Sequence, residues 1–286
     1  MLVEGADSEV VREPAVAGAF YPDSAVLLQR TVTELLENAN PPKVPGEVVG
    51  LACPHAGYQY SGFVAAHGYK TIQGRSYDVA VILAPSHQEY FRGASVFPGR
   101  GYATPLGIAE VDRELAHRLA HASENAQLSW FGHRSEHSLE VQLPFLQVVQ
   151  PDLKIVPVVI GEYDREFCEE FGQALAQVLS GRKALLVAST DLYHGYSYDD
   201  CVAIDDATLG RVLDWDAAGL CEGLESGRYQ ACGGGPLVVT MVAARELGAN
   251  RVHIVARTNS ADVVGERGGW TVGYAAIVFS AVQGMS

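Results

Sequence analysis

Short apolar runs, separated by stretches with helical periodicity, constrain this chain more than any other feature. Six runs suit buried strands: Val48–Cys53, Val79–Ala84, Ile155–Ile160, Ala184–Ala188, Val252–Ala256 and Thr271–Phe279. Apolar residues at three- and four-residue spacing predict helices over Ser24–Asn38, Gly62–Ile72, Asp112–His121, Arg165–Leu179 and Leu237–Leu247. Asp23 and Asp164 read as N-caps and Gly248 as a C-cap. The alternation predicts an α/β fold: a single-domain layered sandwich with a mostly parallel or mixed central sheet flanked by helices. Phe91–Val111 departs from it and reads as an irregular or hairpin insertion. No repeat or linker divides the chain, so residues 1–286 form one expected domain, with 1–11 as a flexible N-terminal segment.

Composition excludes several function classes. The chain carries 34 acidic and 20 basic residues, a formal charge of −14, and no Lys or Arg run that would track phosphates. No nucleic-acid partner is expected. No stretch reaches the roughly 18 to 20 apolar residues of a membrane span, and the acidic start lacks a basic and apolar leader, so a cytoplasmic protein without a membrane partner is expected. Five cysteines without a C-x-x-C pair argue against a disulfide framework or a zinc ribbon. Cys53, Cys168, Cys201 and Cys221 read as reduced, structural thiols. The phosphate-loop, zincin, nucleophile-elbow and dinucleotide motifs are all missing.

In α/β sheets ligands bind beyond the carboxyl ends of strands, and four strand ends here are chemically loaded. They continue into Pro54-His55-Ala56-Gly57-Tyr58, Pro85-Ser86-His87, Ser189-Thr190-Asp191-Leu192-Tyr193-His194 and Arg257-Thr258-Asn259-Ser260. His55 and His87 each follow a strand with a proline at its end, which would point two imidazoles into one crevice. They read as a metal pair or as loop histidines that bond to backbone. The third ligand would be a carboxylate or a thiolate. Cys232 is the strongest candidate: Ala231-Cys232-Gly233-Gly234-Gly235-Pro236 leads into a helix N-terminus, where N–H groups favour a thiolate. The alternatives are a packed small residue or an anion cradle. Asp191 and His194, three residues apart, suit a carboxylate that orients an imidazole acid/base, or a capping Asp beside a solvated His. His133 and His137 would share a face on a helix, although Ser135 and Ser138 favour a turn.

Four long motifs carry a resemblance: Arg12-Glu13-Pro14-Ala15-Val16-Ala17-Gly18-Ala19-Phe20-Tyr21-Pro22, Pro54-His55-Ala56-Gly57-Tyr58-Gln59-Tyr60-Ser61-Gly62, Glu136-His137-Ser138-Leu139-Glu140-Val141-Gln142-Leu143-Pro144-Phe145-Leu146 and Thr190-Asp191-Leu192-Tyr193-His194. From Arg12 to Phe279 the chain resembles the Memo family, called AmmeMemoRadiSam system protein B in prokaryotes. The resemblance implies a fold similar to the LigB-like class III extradiol dioxygenases, which use non-haem Fe(II). It implies a metal pocket of His55, His87 and Cys232, with Asp191 and His194 as an Asp/His pair beside it. The ring-cleaving enzymes use Glu where this family has Cys, so copper suits the set as well as iron and ring cleavage is not simply inherited. Gly234 and Gly235 stand where relatives can carry larger residues.

The resulting expectation is a metal-dependent oxidoreductase of unknown substrate. One Fe(II) or Cu ion sits on His55, His87 and Cys232, His194 acts as acid/base oriented by Asp191, and Tyr60, Phe20 and His137 line the substrate pocket. A non-catalytic binding or adaptor module holding a peptide or protein in the same crevice is the alternative. A metal-free redox role for the Cys232 thiol is a third. Expected partners are a small-molecule or peptide ligand, with radical-SAM and AMMECR-type proteins implied by the resemblance.

Overall fold

The computed structural model describes residues 9–283. Its strands are β1 (Val11–Arg12), β2 (Glu47–Cys53), β3 (Val79–Pro85), β4 (Ala94–Val96), β5 (Gly101–Thr104), β6 (Gly107–Glu110), β7 (Ala126–Leu128), β8 (Ile155–Ile160), β9 (Ala184–Ser189), β10 (His194–Gly195), β11 (Arg251–Asn259) and β12 (Thr271–Ala281). Its helices are α1 (Ala25–Asn38), α2 (Tyr58–Lys70), α3 (Arg113–Ala120), α4 (Leu143–Val149), α5 (Arg165–Leu179), α6 (Tyr198–Leu213), α7 (Ala217–Glu225), α8 (Gly234–Glu246) and α9 (Ser260–Val264).

A nine-stranded mixed sheet forms the centre, in the order β10-β12-β2-β9-β3-β8-β4-β7, with β11 on the other edge of β12. Its middle, β2-β9-β3-β8, is parallel, and antiparallel strands flank it on both sides. All residues of β3, β8 and β9 are buried, which is why these runs carry no polar alternation. Helices α1, α2 and α4 pack together, with α2 on β2 and β12, while α5, α7 and α8 form a second group, with α8 on β9 and β3. The expected layered α/β architecture is the observed one.

The insertion from Phe91 to Val111 resolves into strands. β4 joins the main sheet, and the β5-β6 hairpin forms a small second sheet with β1. Of the expected flexible segment, residues 1–8 lie outside the described residues, and Val11 pairs with Gly101. Ser24, not Asp23, caps α1, its Oγ accepting from the Leu27 N–H. Asp164 caps α5 as expected, its side chain accepting from the Phe167 N–H. Helix α2 starts at Tyr58 rather than Gly62, so the chain turns from β2 into α2 within Pro54–Gly57. That brevity places His55 two residues beyond the end of β2. Among the described residues no helix is long and apolar enough to cross a membrane.

Candidate metal centre

Three adjacent parallel strands, β2, β9 and β3, end at one rim, and their direction brings His55, Asp191 and His87 to the same crevice. His55 is buried and its ring centroid lies 5.3 Å from that of His87. β11 runs the same way, so Ser260 at its end also lines the crevice, whereas Arg257 turns aside to pair with Asp206. Cys232 arrives from the opposite layer, in the turn before α8: its Sγ lies 3.1 Å from His55 Nε2 and 3.2 Å from the Asp191 N–H.

The hydrogen bonds assign the imidazole tautomers. Ser189 gives its single proton to the Ser138 carbonyl (2.6 Å) and accepts from Gln142 Nε2 (2.7 Å), so His55 Nδ1, 2.9 Å away, must donate to Ser189 Oγ. His87 Nδ1 donates to Glu136 Oε1 (2.9 Å), and His194 Nδ1 to the Leu192 carbonyl (2.9 Å). His137 Nδ1 sits 3.3 Å from the same Glu136 oxygen. The Nδ1 atoms of His55, His87 and His194 thus have acceptors, and their Nε2 atoms keep their lone pairs, that of His55 facing the Cys232 thiol. This is the outer-shell arrangement that orients metal-binding histidines.

Burial and the neighbouring imidazoles push His55 well below the ordinary histidine range, and burial lowers His137 and His194 as well. Neutral rings suit ligation. Burial alone would raise the Glu136 carboxyl, but the His87 side chain and the N–H groups of His87 and Ser138 more than offset it and hold it at about 2. Burial pushes Asp191 up to about 7, against the N–H groups of His55 and Ala56.

Several expectations are corrected here. Asp191 does not orient His194: its Oδ1 accepts from the His55 N–H (2.8 Å), and Leu192 fixes the His194 tautomer. Burial and the Asp191 carboxyl push the Cys232 thiol up rather than down, outweighing the N–H groups of Asp191 and Gly233. The metal-free redox reading, which needs a stable thiolate, loses its support. The turn expected from Ser135 and Ser138 is the observed one: residues 132–138 are not helical, and His133 and His137 share no helix face. His133 is buried between Tyr102 Oη and the Ser95 carbonyl, whereas His137 stacks on His87 at 4.9 Å. Gly234 and Gly235 lie against Tyr163: a Cβ on Gly234 would stand 2.4 Å from its hydroxyl and one on Gly235 2.7 Å from its ring.

The possible ligand atoms fall into two groups sharing His55: His55, His87 and His137, and His55, Asp191 and Cys232, each set lying within 4.8 Å. The expected His55, His87 and Cys232 draw on both groups. Phe20, Tyr60, His137, Asp191 and His194 all line a crevice of about 670 Å³. Sequence reasoning missed Trp270, which walls it 6.3 Å from the His194 ring, and the positioning roles of Glu136, Ser189 and Gln142. An acid directly before His137 in the third motif was the available signal for Glu136.

The four motifs converge physically. Arg12 pairs with Glu140 in the interior, and Tyr21 donates to the same carboxylate. Ala15 and Val16 offer it their N–H groups at 2.8 and 3.1 Å. Against known families, residues 12–278 match the model of the Memo-like proteins. The chain belongs to the Memo family. A Memo-family relative from Methanosarcina mazei is 38% identical over 94% of this chain and 98% of its own. One from Pyrobaculum aerophilum is 38% identical over 94% and 99%, and one from Nitrosopumilus maritimus 32% over 94% and 100%. A solved structure of an uncharacterized protein, JW3007 from Escherichia coli K12, superposes with a TM-score of 0.49 at 16% identity, covering 81% of this chain and 99% of that one. In this Memo-family chain all four motifs line the crevice: the first with Phe20, the second with His55 and Tyr60, the third with His137 and the fourth with Asp191 and His194.

Proposed function

We propose that this chain is a metal-dependent oxidoreductase holding one iron or copper ion on His55, His87 and Cys232, with His137 alongside. The observation that supports it best is the set of imidazoles whose Nδ1 atoms are engaged by protein acceptors, so that their Nε2 lone pairs are available beside a thiol. Two or three nitrogens with one sulfur suit iron or copper better than magnesium or calcium. A bound redox ion would supply electron transfer and Lewis acidity at positions that the protein donors leave open.

The chain's own groups do the rest. Glu136 keeps His87 oriented. The Gln142–Ser189–His55 relay fixes the His55 ring. His194, neutral because it is buried, accepts a proton at Nε2 while Leu192 holds its other nitrogen. Phe20, Tyr60 and Trp270 line the space.

Elemental analysis and metal-centred spectroscopy on anaerobically purified protein test this reading. Near-stoichiometric iron or copper in the wild type, lost in both His55→Ala and Cys232→Ser, is the expected result. No bound metal, and no uptake of added Fe(II) or copper, would overturn it in favour of a binding module using the same crevice.

A further inference from the structure

Cys168 and Cys221 take no part in the metal crevice, yet they meet each other. Cys168 lies on α5 and Cys221 on α7, and both are free thiols without solvent exposure. The Cys168 thiol donates a hydrogen bond to Cys221 Sγ, and Cys221 donates to Glu225 Oε1 at 3.8 Å. The two helices are in contact, and Arg165, one turn before Cys168, pairs with Glu222 at 3.0 Å. Sulfur therefore faces sulfur across a helix contact that an ion pair already fixes.

A buried cysteine is ordinarily a small apolar side chain, and the partner is what separates this pair. Cys201 donates to Asp205, and Cys232 faces His55. Two sulfurs in hydrogen-bond contact need only a modest slide of one helix to reach the bond length of about 2 Å. Their roles are unequal. The hydrogen bond from Cys168 outweighs burial and the Glu225 carboxylate and holds the Cys221 thiol below the ordinary cysteine range. The same bond, with burial, pushes Cys168 up. Cys221 is thus the better nucleophile and Cys168 the resolving thiol. Glu222 and Glu225 beside it on α7 are exposed, so Cys221 lies one side chain below solvent, within reach of a small oxidant.

We propose that Cys168 and Cys221 form a redox site separate from the metal crevice, a dithiol that a small peroxide closes reversibly to a disulfide between α5 and α7. The Cys221 thiolate attacks one peroxide oxygen, the O–O bond breaks, and Cys221 sulfenic acid and water result. Cys168 sulfur then attacks the sulfenic sulfur, the S–O bond breaks, and a second water leaves with the Cys168 proton. Two thiols and one hydrogen peroxide give one disulfide and two waters. The proposal does not depend on the metal reading above.

The experiment treats the folded, chelator-stripped chain with hydrogen peroxide, quenches in acid, alkylates in denaturant and maps the peptides by mass spectrometry. The expected product is a Cys168–Cys221 linked peptide pair, two hydrogens lighter than its reduced parts, within monomeric protein and reopened by dithiothreitol. It should form equally in Cys232→Ser. The order of attack is tested with dimedone, which traps sulfenic acids. Cys168→Ser keeps a hydrogen-bond donor and should accumulate trapped Cys221, whereas Cys221→Ser should leave Cys168 as a free thiol. Should either variant misfold, dimedone trapping in the wild type at early times makes the same assignment. Both thiols still alkylatable after oxidation, a link to any other cysteine, links found only between chains, or sulfenic acid on Cys168 would each overturn the proposal.

Discussion

Glu136 is the residue on which the crevice most depends. Its Oε2 accepts from the His87 N–H (2.5 Å), and its Oε1 accepts from His87 Nδ1 (2.9 Å) and the Ser138 N–H (3.0 Å). Glu136→Gln removes the charge and presents a donor to at least one of these donors. Metal affinity should fall about 10- to 100-fold, measured by competition with a chromogenic chelator; an unchanged affinity would show that His87 is no ligand. Asp205 makes a different prediction. Burial raises its carboxyl from 3.8 to about 6, opposed by the Tyr193 N–H and Arg257. The folded value lies above the unfolded one, so the stabilisation is present at pH 4 and lost as pH rises through 6, by about 2–3 kcal/mol. Urea-derived stability of wild type minus that of Asp205→Asn should fall by that amount between pH 4.5 and 7.5. At this scale the candidates His55, His87, Cys232, Asp191 and His194 were legible as groups following apolar runs. Their partners were not, because Asp191 is as close in sequence to His194 as it is in space to His55.

At the scale of elements, the N-terminal segment and the turn into the 3-10 helix Glu140–Gln142 form one clamp. Arg12 Nε donates to the His133 carbonyl (3.0 Å), Nη2 to the Glu136 carbonyl (2.5 Å), and Nη1 to Glu140. Arg12→Ala would strand a buried carboxylate and should cost about 3–5 kcal/mol by chemical denaturation; a loss below 1 kcal/mol would mean that the clamp is solvated. The start of α8 is set by close approach. A Cβ on Gly233 would stand 2.1 Å from the Ser189 carbonyl and 2.6 Å from Thr190 Cβ. Gly233→Ala must push α8 away from β9, so a loss of about 1–3 kcal/mol is expected together with weakened metal binding, since Cys232 rides on that turn. Element types came through from periodicity for α1, α2, α3, α5 and α8 and for six strands. α6 and α7 did not: four aspartates interrupt the apolar residues of α6, and Gly219 and Gly223 those of α7. The short strands β4 to β7 make sense only through their pairing partners.

For the whole molecule, the formal charge of −14 opposes compaction. Raising NaCl from 0.05 to 0.5 M should screen it and lift the melting temperature by about 2–4 °C; a drop on adding salt would show that attractive pairs such as Arg12–Glu140 dominate the balance. The sequence alone determined the α/β layering, because β-branched runs without polar alternation can be satisfied only inside a sheet covered on both faces. It also placed the reactive groups, because strand ends are where such a sheet exposes its chain. Tertiary structure alone decided which groups meet. The strand order β2-β9-β3 sets Asp191 between the two histidine-bearing strands, the clamp brings Glu136 and His137 from over 40 residues away to His87, and enclosure reverses the Cys232 thiol. Proton positions and thiol acidity follow from what surrounds a side chain, and those surroundings are assembled from segments that one-dimensional spacing does not connect.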